Sequence, residues 1–281
     1  MTFDVEEGEI FGLIGPDGAG KTSLFRILTT LLLADSGKAV VDGMDVVNDY
    51  KKIRQHIGYM PGRFSLYQDL TVEENLSFFA TVFNTTIEEN YHLVEDIYRQ
   101  IEPFKKRKAG KLSGGMKQKL ALSCALIHAP HVLFLDEPTT GVDPVSRKEF
   151  WEMLQKLKKN FKLSIVVSTP YMDEALQCDR IALIQDGQFL TIDTPENIIR
   201  TYTQTLWSLR SDKMHKLLTD LRGINGVKTA FAFGENHHAT IDTSVLTVDS
   251  LRNRLVSLGH RNIVIEVVEP TIEDCFMNLQ K

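Results

Sequence analysis

Glycines, a lysine and a threonine fall in the order Gly15-Pro16-Asp17-Gly18-Ala19-Gly20-Lys21-Thr22, with Ser23 following. Those residue types at that spacing suit the holding of a polyphosphate. Glycines let successive backbone N–H groups turn inward onto phosphate oxygens, and a helix amino terminus adds partial positive charge. Lys21 supplies a mobile ammonium for β- and γ-phosphates. Thr22 offers a hydroxyl to Mg²⁺, which takes hard oxygen ligands. A glycine-rich turn that binds nothing is the alternative. The apolar strand pattern before the loop and the helical pattern after it favour the phosphate reading.

Asp136 and Glu137 end an apolar run, Val132-Leu133-Phe134-Leu135. Both carboxylates should therefore emerge at the carboxyl edge of a sheet, where nucleotides sit in open α/β folds. The usual division of labour for such a pair has Asp136 holding Mg²⁺ through its water shell and Glu137 polarising the attacking water. A surface acidic pair is the alternative. A third motif, Leu112-Ser113-Gly114-Gly115, runs on into Met116-Lys117-Gln118-Lys119. Ser113 is a hydroxyl donor at an expected helix start, able to meet a γ-phosphate together with the N–H groups of Gly114 and Gly115. Plain helix capping is its other reading.

Taken together and in this order, the three motifs resemble the nucleotide-binding subunit of an ATP-binding-cassette (ABC) transporter. The resemblance covers about residues 3–200. It implies an α/β core of the P-loop nucleoside triphosphate hydrolase type, with a helical subdomain over about 63–129. It implies MgATP held by Gly15 through Ser23 and Asp136, Mg²⁺ by Thr22 and Asp136, and hydrolysis by Glu137 and Lys21. In that family the Leu-Ser-Gly-Gly segment closes over ATP held by a partner chain, so Ser113, Gly114 and Gly115 would act on a second ABC ATPase subunit's nucleotide. Asp143, in Pro138-Thr139-Thr140-Gly141-Val142-Asp143, resembles the residue of the loop that crosses the dimer interface. The tail Glu269-Pro270-Thr271-Ile272-Glu273-Asp274-Cys275-Phe276 resembles the carboxyl-terminal extension of the drug- and antibiotic-export branch. Export through separate integral membrane permease subunits is the function implied.

Three departures from the family pattern stand out. Gly62 takes the place of a glutamine that reaches Mg²⁺ and the attacking water. Pro170 takes the place of a histidine that grips the γ-phosphate, and proline offers neither an imidazole nor an N–H. The family's first strand and its adenine-stacking aromatic are expected upstream of Met1, which leaves Phe3 as core rather than adenine platform. Loss of one transition-state contact typically costs about 2.7–4 kcal/mol. A degenerate cassette that binds ATP and dimerises, but hydrolyses poorly in support of a partner's site, is therefore the alternative function. Cassette proteins of translation or DNA repair carry tandem cassettes or long coiled-coil insertions, and this sequence has neither.

The elements that must position these residues are legible in outline. Ile10 to Ile14 reads as a buried strand and Lys21 to Leu31 as a helix, followed by turns around Asp35-Ser36-Gly37 and Asp42-Gly43. Ile57 to Met60 is a second strand. Thr71 with Glu74 forms a capping box, and Tyr91 to Ile101 reads as a further helix. Strands return at Val132 to Leu135 and Ser164 to Ser168, and a hairpin turns at Asp186-Gly187. Thr194-Pro195-Glu196 opens a helix. Beyond a boundary near residues 200–204 the order becomes β-α-β-β-α-β, which predicts a small α+β ferredoxin-like domain over 201–281. A short helix from Thr271 closes the chain.

Composition narrows the class. The chain has 281 residues, 43% hydrophobic and 25% charged, with a net charge of −5, so no basic field points to nucleic acid. The run Lys105-Lys106-Arg107-Lys108 reads as a solvated loop. No stretch approaches the roughly 18 apolar residues of a membrane span, since Ala121 to Leu135 is broken by His128, Pro130 and His131. The amino terminus has no secretion-signal pattern. Cys124, Cys178 and Cys275 show no metal-ligand spacing and are expected as reduced thiols. A cytoplasmic chain, peripheral on the inner face of the cell membrane, is the expectation. His237-His238 reads as part of a polar hairpin turn, and Trp151 and Trp207 as core.

Overall fold

The computed structural model describes residues 1–280, which divide into two compact units, one ending at Pro195 and the other running from Glu196 onward. In the first unit the elements run β1 (Ile10–Ile14), α1 (Lys21–Leu28), β2 (Val40–Val41), β3 (Met44–Asp45), α2 (Tyr50–His56) and β4 (Ile57–Met60). They continue with α3 (Val72–Val82), α4 (Ile87–Tyr98), α5 (Gly114–Leu126), β5 (Val132–Asp136), α6 (Pro144–Phe161), β6 (Ser164–Thr169), β7 (Arg180–Gln185) and β8 (Gln188–Asp193). Helix α7 (Pro195–Arg200) begins at the division. No helix among the described residues is long and apolar enough to cross a membrane.

The main sheet has the order β4-β5-β6-β1-β7-β8, parallel except for β8. Every residue of β1 and of β6 is buried, as a strand covered on both faces requires. β1 lies between β6 and β7, so its loop leaves from the middle of the carboxyl edge. On one face Phe11, Leu13, Phe134 and Val166 meet Phe25 and Leu28 of α1 and Ile53 of α2. Phe3 belongs to this same core, its ring 5.5 Å from Phe11 and 5.4 Å from Phe189. The β7–β8 turn has φ +47° at Asp186 and +74° at Gly187, both left-handed, as the favoured two-residue hairpin turn demands.

Helix α1 ends at Leu28 rather than Leu31. The Thr29 hydroxyl bonds back to the Phe25 carbonyl at 2.8 Å and Thr30 turns to φ +64°, leaving Leu31, Leu32 and Leu33 exposed. The turn-rich segment after it also holds the short β2–β3 hairpin and α2. Capping boxes at Thr71 and Thr86 open α3 and α4, and the second sets the start of α4 four residues before Tyr91. The basic run lies in the loop before α5, where Lys105 pairs with Glu73 at 3.8 Å and Lys108 with Asp69 at 3.9 Å.

The second unit contains β9 (Thr205–Arg210), α8 (Met214–Arg222), β10 (Val227–Phe233), β11 (Asn236–Ile241), α9 (Val248–Ser257), β12 (Val264–Val268) and α10 (Ile272–Leu279). Its antiparallel sheet has the order β10-β11-β9-β12, the ferredoxin-like arrangement of a β-α-β-β-α-β chain. Trp207, Leu217, Leu221, Leu251 and Leu255 are among its core. The two histidines expected in the hairpin turn lie instead within β11 and are buried. The turn is only Gly234-Glu235, so pairing resumes at Asn236. His238 Nδ1 then lies 2.8 Å from Asp274 Oδ1, and His237 Nε2 donates to the Met214 carbonyl at 2.7 Å.

Candidate functional site

The loop after β1 is built around close approach and exposed backbone. A β-carbon at Gly15 would stand 2.1 Å from the Ile184 carbonyl oxygen, so only glycine lets the loop leave β1 against β7. Gly20 caps α1 with φ +101° and contributes no side-chain cap, so the first N–H groups of α1 remain for another acceptor. Pro16, Asp17 and Gly18 are exposed, Ala19 is buried, and Ser23 faces outward on α1. The loop is braced by the β7–β8 turn, whose Gly187 N–H donates to the Ala19 carbonyl at 3.0 Å.

Lys21 is 3% exposed. Its ammonium donates to the carbonyls of Gly15 (2.9 Å) and Pro16 (3.0 Å) and lies 3.3 Å from the Glu137 carboxylate. A buried ammonium beneath an uncapped helix start is a place for anions. The adjacent Thr22 hydroxyl donates to Asp136 Oδ1 at 3.2 Å. These are hard oxygen donors of the kind Mg²⁺ takes, so the residues present fit both a polyphosphate and its metal. Asp136 is buried, and its negative charge adds to burial in pushing the Tyr59 hydroxyl up to about 12.

Strand register brings Asp136 and Lys21 together. β6 lies between β5 and β1, with Asp136 paired to Ser168 and Ser168 to Leu13. The fully buried Ser168 hydroxyl donates to Asp136 Oδ1 at 2.6 Å and accepts from the Glu137 N–H at 3.0 Å. The Ser168 carbonyl accepts from that same N–H at 3.0 Å. These bonds fix Glu137 at φ +50°, which re-aims its carboxylate from the strand axis toward Lys21. In the sequence Ser168 reads only as the end of a strand; the signal that points to it is a polar residue closing a buried apolar run at the carboxyl edge.

A second group forms apart from this one. Ser113 caps α5 and accepts from the Met116 N–H at 3.4 Å, and both Ser113 and Gly114 are exposed. A β-carbon at Gly115 would meet the Ser146 hydroxyl at 2.7 Å, and one at Gly114 would stand 3.6 Å from the Gly141 carbonyl. Asp143 caps α6 through the Ser146 N–H at 3.0 Å, and its carboxyl is held below the ordinary range chiefly by that bond. The Leu112–Gly115 segment and the Gly141–Asp143 loop thus share one surface.

Two of the three departures, Gly62 and Pro170, are also placed. A β-carbon at Gly62 would stand 3.1 Å from the Asp136 carbonyl oxygen and 3.8 Å from the Glu137 Cβ, directly beside the acidic pair. Pro170 follows Thr169, whose hydroxyl donates to Glu174 Oε2 at 2.6 Å, while Arg147 of α6 pairs with that carboxylate at 3.0 Å. A hollow of about 1410 Å³ lined by Phe3, Leu24, Leu28, Val41, Phe134 and Phe161 includes none of the residues from Gly15 to Thr22.

Residues 1–140 match a family described as "ABC transporter". The probable multidrug ABC transporter ATP-binding protein YbhF of Escherichia coli (strain K12) is 44% identical over 203 residues, covering 70% of this chain and 34% of its own length. The chain thus spans about a third of that relative. The linearmycin resistance ATP-binding protein LnrL of Bacillus subtilis (strain 168) is 30% identical over 293 residues, covering 99% of this chain and 92% of its own. Among solved structures, the dimeric bacterial ABC transporter cassette MJ0796 aligns with a TM-score of 0.62 at 26% identity, over 68% of this chain and 88% of that one. A post-hydrolysis state of that cassette, bound to ADP and Pi, aligns with a TM-score of 0.61.

Proposed function

The chain belongs to the family of ABC transporter ATP-binding proteins, and from that premise we propose that it binds and hydrolyses MgATP as the ATP-binding subunit of an exporter. One observation carries this reading. Lys21 and Thr22 at the start of α1 and Asp136 and Glu137 at the end of β5, more than a hundred residues apart in sequence, converge on that uncapped helix start.

The residues divide the work by chemistry. Backbone N–H groups of Asp17, Gly18, Gly20, Lys21 and Thr22 and the Lys21 ammonium bind the phosphates, while the Gly15 and Ala19 N–H groups are held by the Thr169 and Pro16 carbonyls. The Thr22 hydroxyl and the Asp136 carboxylate hold Mg²⁺, which when bound neutralises phosphate charge. A phosphate arriving at Lys21 replaces Glu137 as its counter-charge and releases that carboxylate to orient and polarise water. General-base assistance of this sort contributes about 10²–10⁴-fold. Ser113, Gly114, Gly115 and Asp143 share an exposed surface suited to the nucleotide of a second, head-to-tail subunit. Integral membrane permease subunits supply the transport path, with the loop around Gly62 as the point of contact, and the chain works at the inner face of the membrane.

Gly62 and Pro170 favour a second reading, in which the site binds MgATP but turns it over slowly for want of two side chains. Phosphate release by the purified chain, beside Glu137→Gln and the Gly62→Gln/Pro170→His double variant, separates the two. Turnover that Glu137→Gln abolishes supports hydrolysis at the chain's own site. Negligible turnover, raised a hundredfold or more by the double variant (about 2.7 kcal/mol or more), establishes the slow cassette instead. Failure of the chain to retain ATP at all would overturn both.

A further inference from the structure

His56 is the last residue of α2 and stands directly before β4, and His131 stands directly before β5. The parallel register of those strands starts at Ile57 and Val132, so the two histidines arrive side by side at the amino edge of the sheet. The His131 N–H donates to the His56 carbonyl at 2.8 Å, and the rings are 4.9 Å apart. Asp42, in the turn between β2 and β3, directs Oδ2 at both, 3.0 Å from His56 Nδ1 and 2.9 Å from His131 Nδ1. The three ligand atoms all lie within 4.8 Å of one another. The five-residue strand β5 separates His131 from Asp136, about 16 Å of extended chain, so this cluster is no part of the phosphate site.

Two imidazole nitrogens and one carboxylate oxygen are a donor set for borderline transition metals rather than for Mg²⁺, which prefers oxygen throughout. At metal–ligand distances of about 2.0–2.1 Å, neighbouring ligands of a tetrahedral ion stand about 3.3 Å apart. The observed N···O separations of 2.9 and 3.0 Å need open by only a few tenths of an ångström. The side chains of Asp42, His56 and His131 are 30%, 42% and 63% exposed, which gives an ion direct access and leaves room for solvent ligands.

We propose that Asp42, His56 and His131 form a binding site for a divalent first-row transition-metal ion of the Zn²⁺ class, completed by water. The bound ion ties the β2–β3 turn to the residues that lead into the edge strand β4 and its neighbour β5, separately from the nucleotide. The test uses the full chain in Mg²⁺-free buffer, titrated with Zn²⁺ in a calorimeter and loaded with Cu²⁺ for electron paramagnetic resonance. One Zn²⁺ per chain is expected. His56→Ala, His131→Ala and Asp42→Asn should each weaken it by at least about tenfold, the low end of what even supporting residues of metal sites cost. The Cu²⁺ spectrum should show coupling to two nitrogens, reduced to one in either histidine variant. All three side chains reach solvent, so the metal-free variants should retain the circular dichroism of the parent, which separates lost ligation from lost folding. Absence of saturable Zn²⁺ binding, or binding unchanged in the His56→Ala/His131→Ala double variant, overturns the proposal.

Discussion

Replacing Ser168 by alanine tests whether the acidic pair is positioned by its neighbouring strand. The Ser168 hydroxyl is fully buried, donates to Asp136 at 2.6 Å and accepts from the Glu137 N–H at 3.0 Å. Alanine removes the bond to the carboxylate, and hydrogen bonds to charged groups contribute about 1.5–3 kcal/mol. The Glu137 N–H keeps the Ser168 carbonyl at 3.0 Å, so little is added from that side. The expected loss is about 2 kcal/mol, dominated by Asp136. In a unit spanning Met1–Pro195 that lowers the melting midpoint by about 4–8 °C. Calorimetry of Ser168→Ala, Asp136→Asn and the double variant measures it. If the hydroxyl acts through the carboxylate, the two losses fail to add by about 1–2 kcal/mol. Strictly additive losses, or a Ser168→Ala midpoint equal to that of the parent, would refute the reasoning.

Gly15→Ala pushes a β-carbon into the Ile184 carbonyl at 2.1 Å. It should cost at least the 1–3 kcal/mol or so of an overpacked core, whereas Gly18→Ala, with open space but φ +80°, should cost only about 1–2 kcal/mol; paired denaturant titrations check the ranking. Glu137→Gln should lower phosphate release by about 10²–10⁴-fold while ATP still protects the chain in a thermal-shift assay. His128 stacks on Phe83 at 3.8 Å and donates to the Ile57 carbonyl at 2.9 Å; burial pushes its pKa below 6.5, and the hydrogen bond only partly offsets that. The folded state then binds fewer protons than the unfolded one, so stability present above pH 6.5 falls as pH drops through it and levels off below the folded pKa. Melting midpoints across that range should decline less in His128→Gln than in the parent.

Chemistry that depends on adjacent residues was open to reading from the chain. The phosphate loop, the Asp136-Glu137 pair and the Ser113 cap each rest on residue types a few positions apart, set by the local needs of a turn, a strand end or a helix start. The β-α-β-β-α-β order of the second unit followed in the same way from alternation and turn residues. Short elements were lost, since the two-residue strands β2 and β3 and the seven-residue α2 are too brief to show a period. The His237-His238 misplacement has a similar cause. Polar residues beside a turn look solvated, and only Asp274, thirty-six residues on, shows why His238 is buried.

What the sequence alone determined is the inventory: a glycine-rich loop ending in Lys21 and Thr22, the Asp136-Glu137 pair at the end of an apolar run, and a glycine and a proline at positions 62 and 170. Tertiary structure decided which of these meet. Parallel pairing sets Ser168 between Asp136 and the phosphate loop, puts Gly62 against the acidic pair, and lines up His56 with His131 at the far edge of the same sheet. Register is a property of two strands at once, fixed by burial on both faces, and neither strand carries it in its own residues.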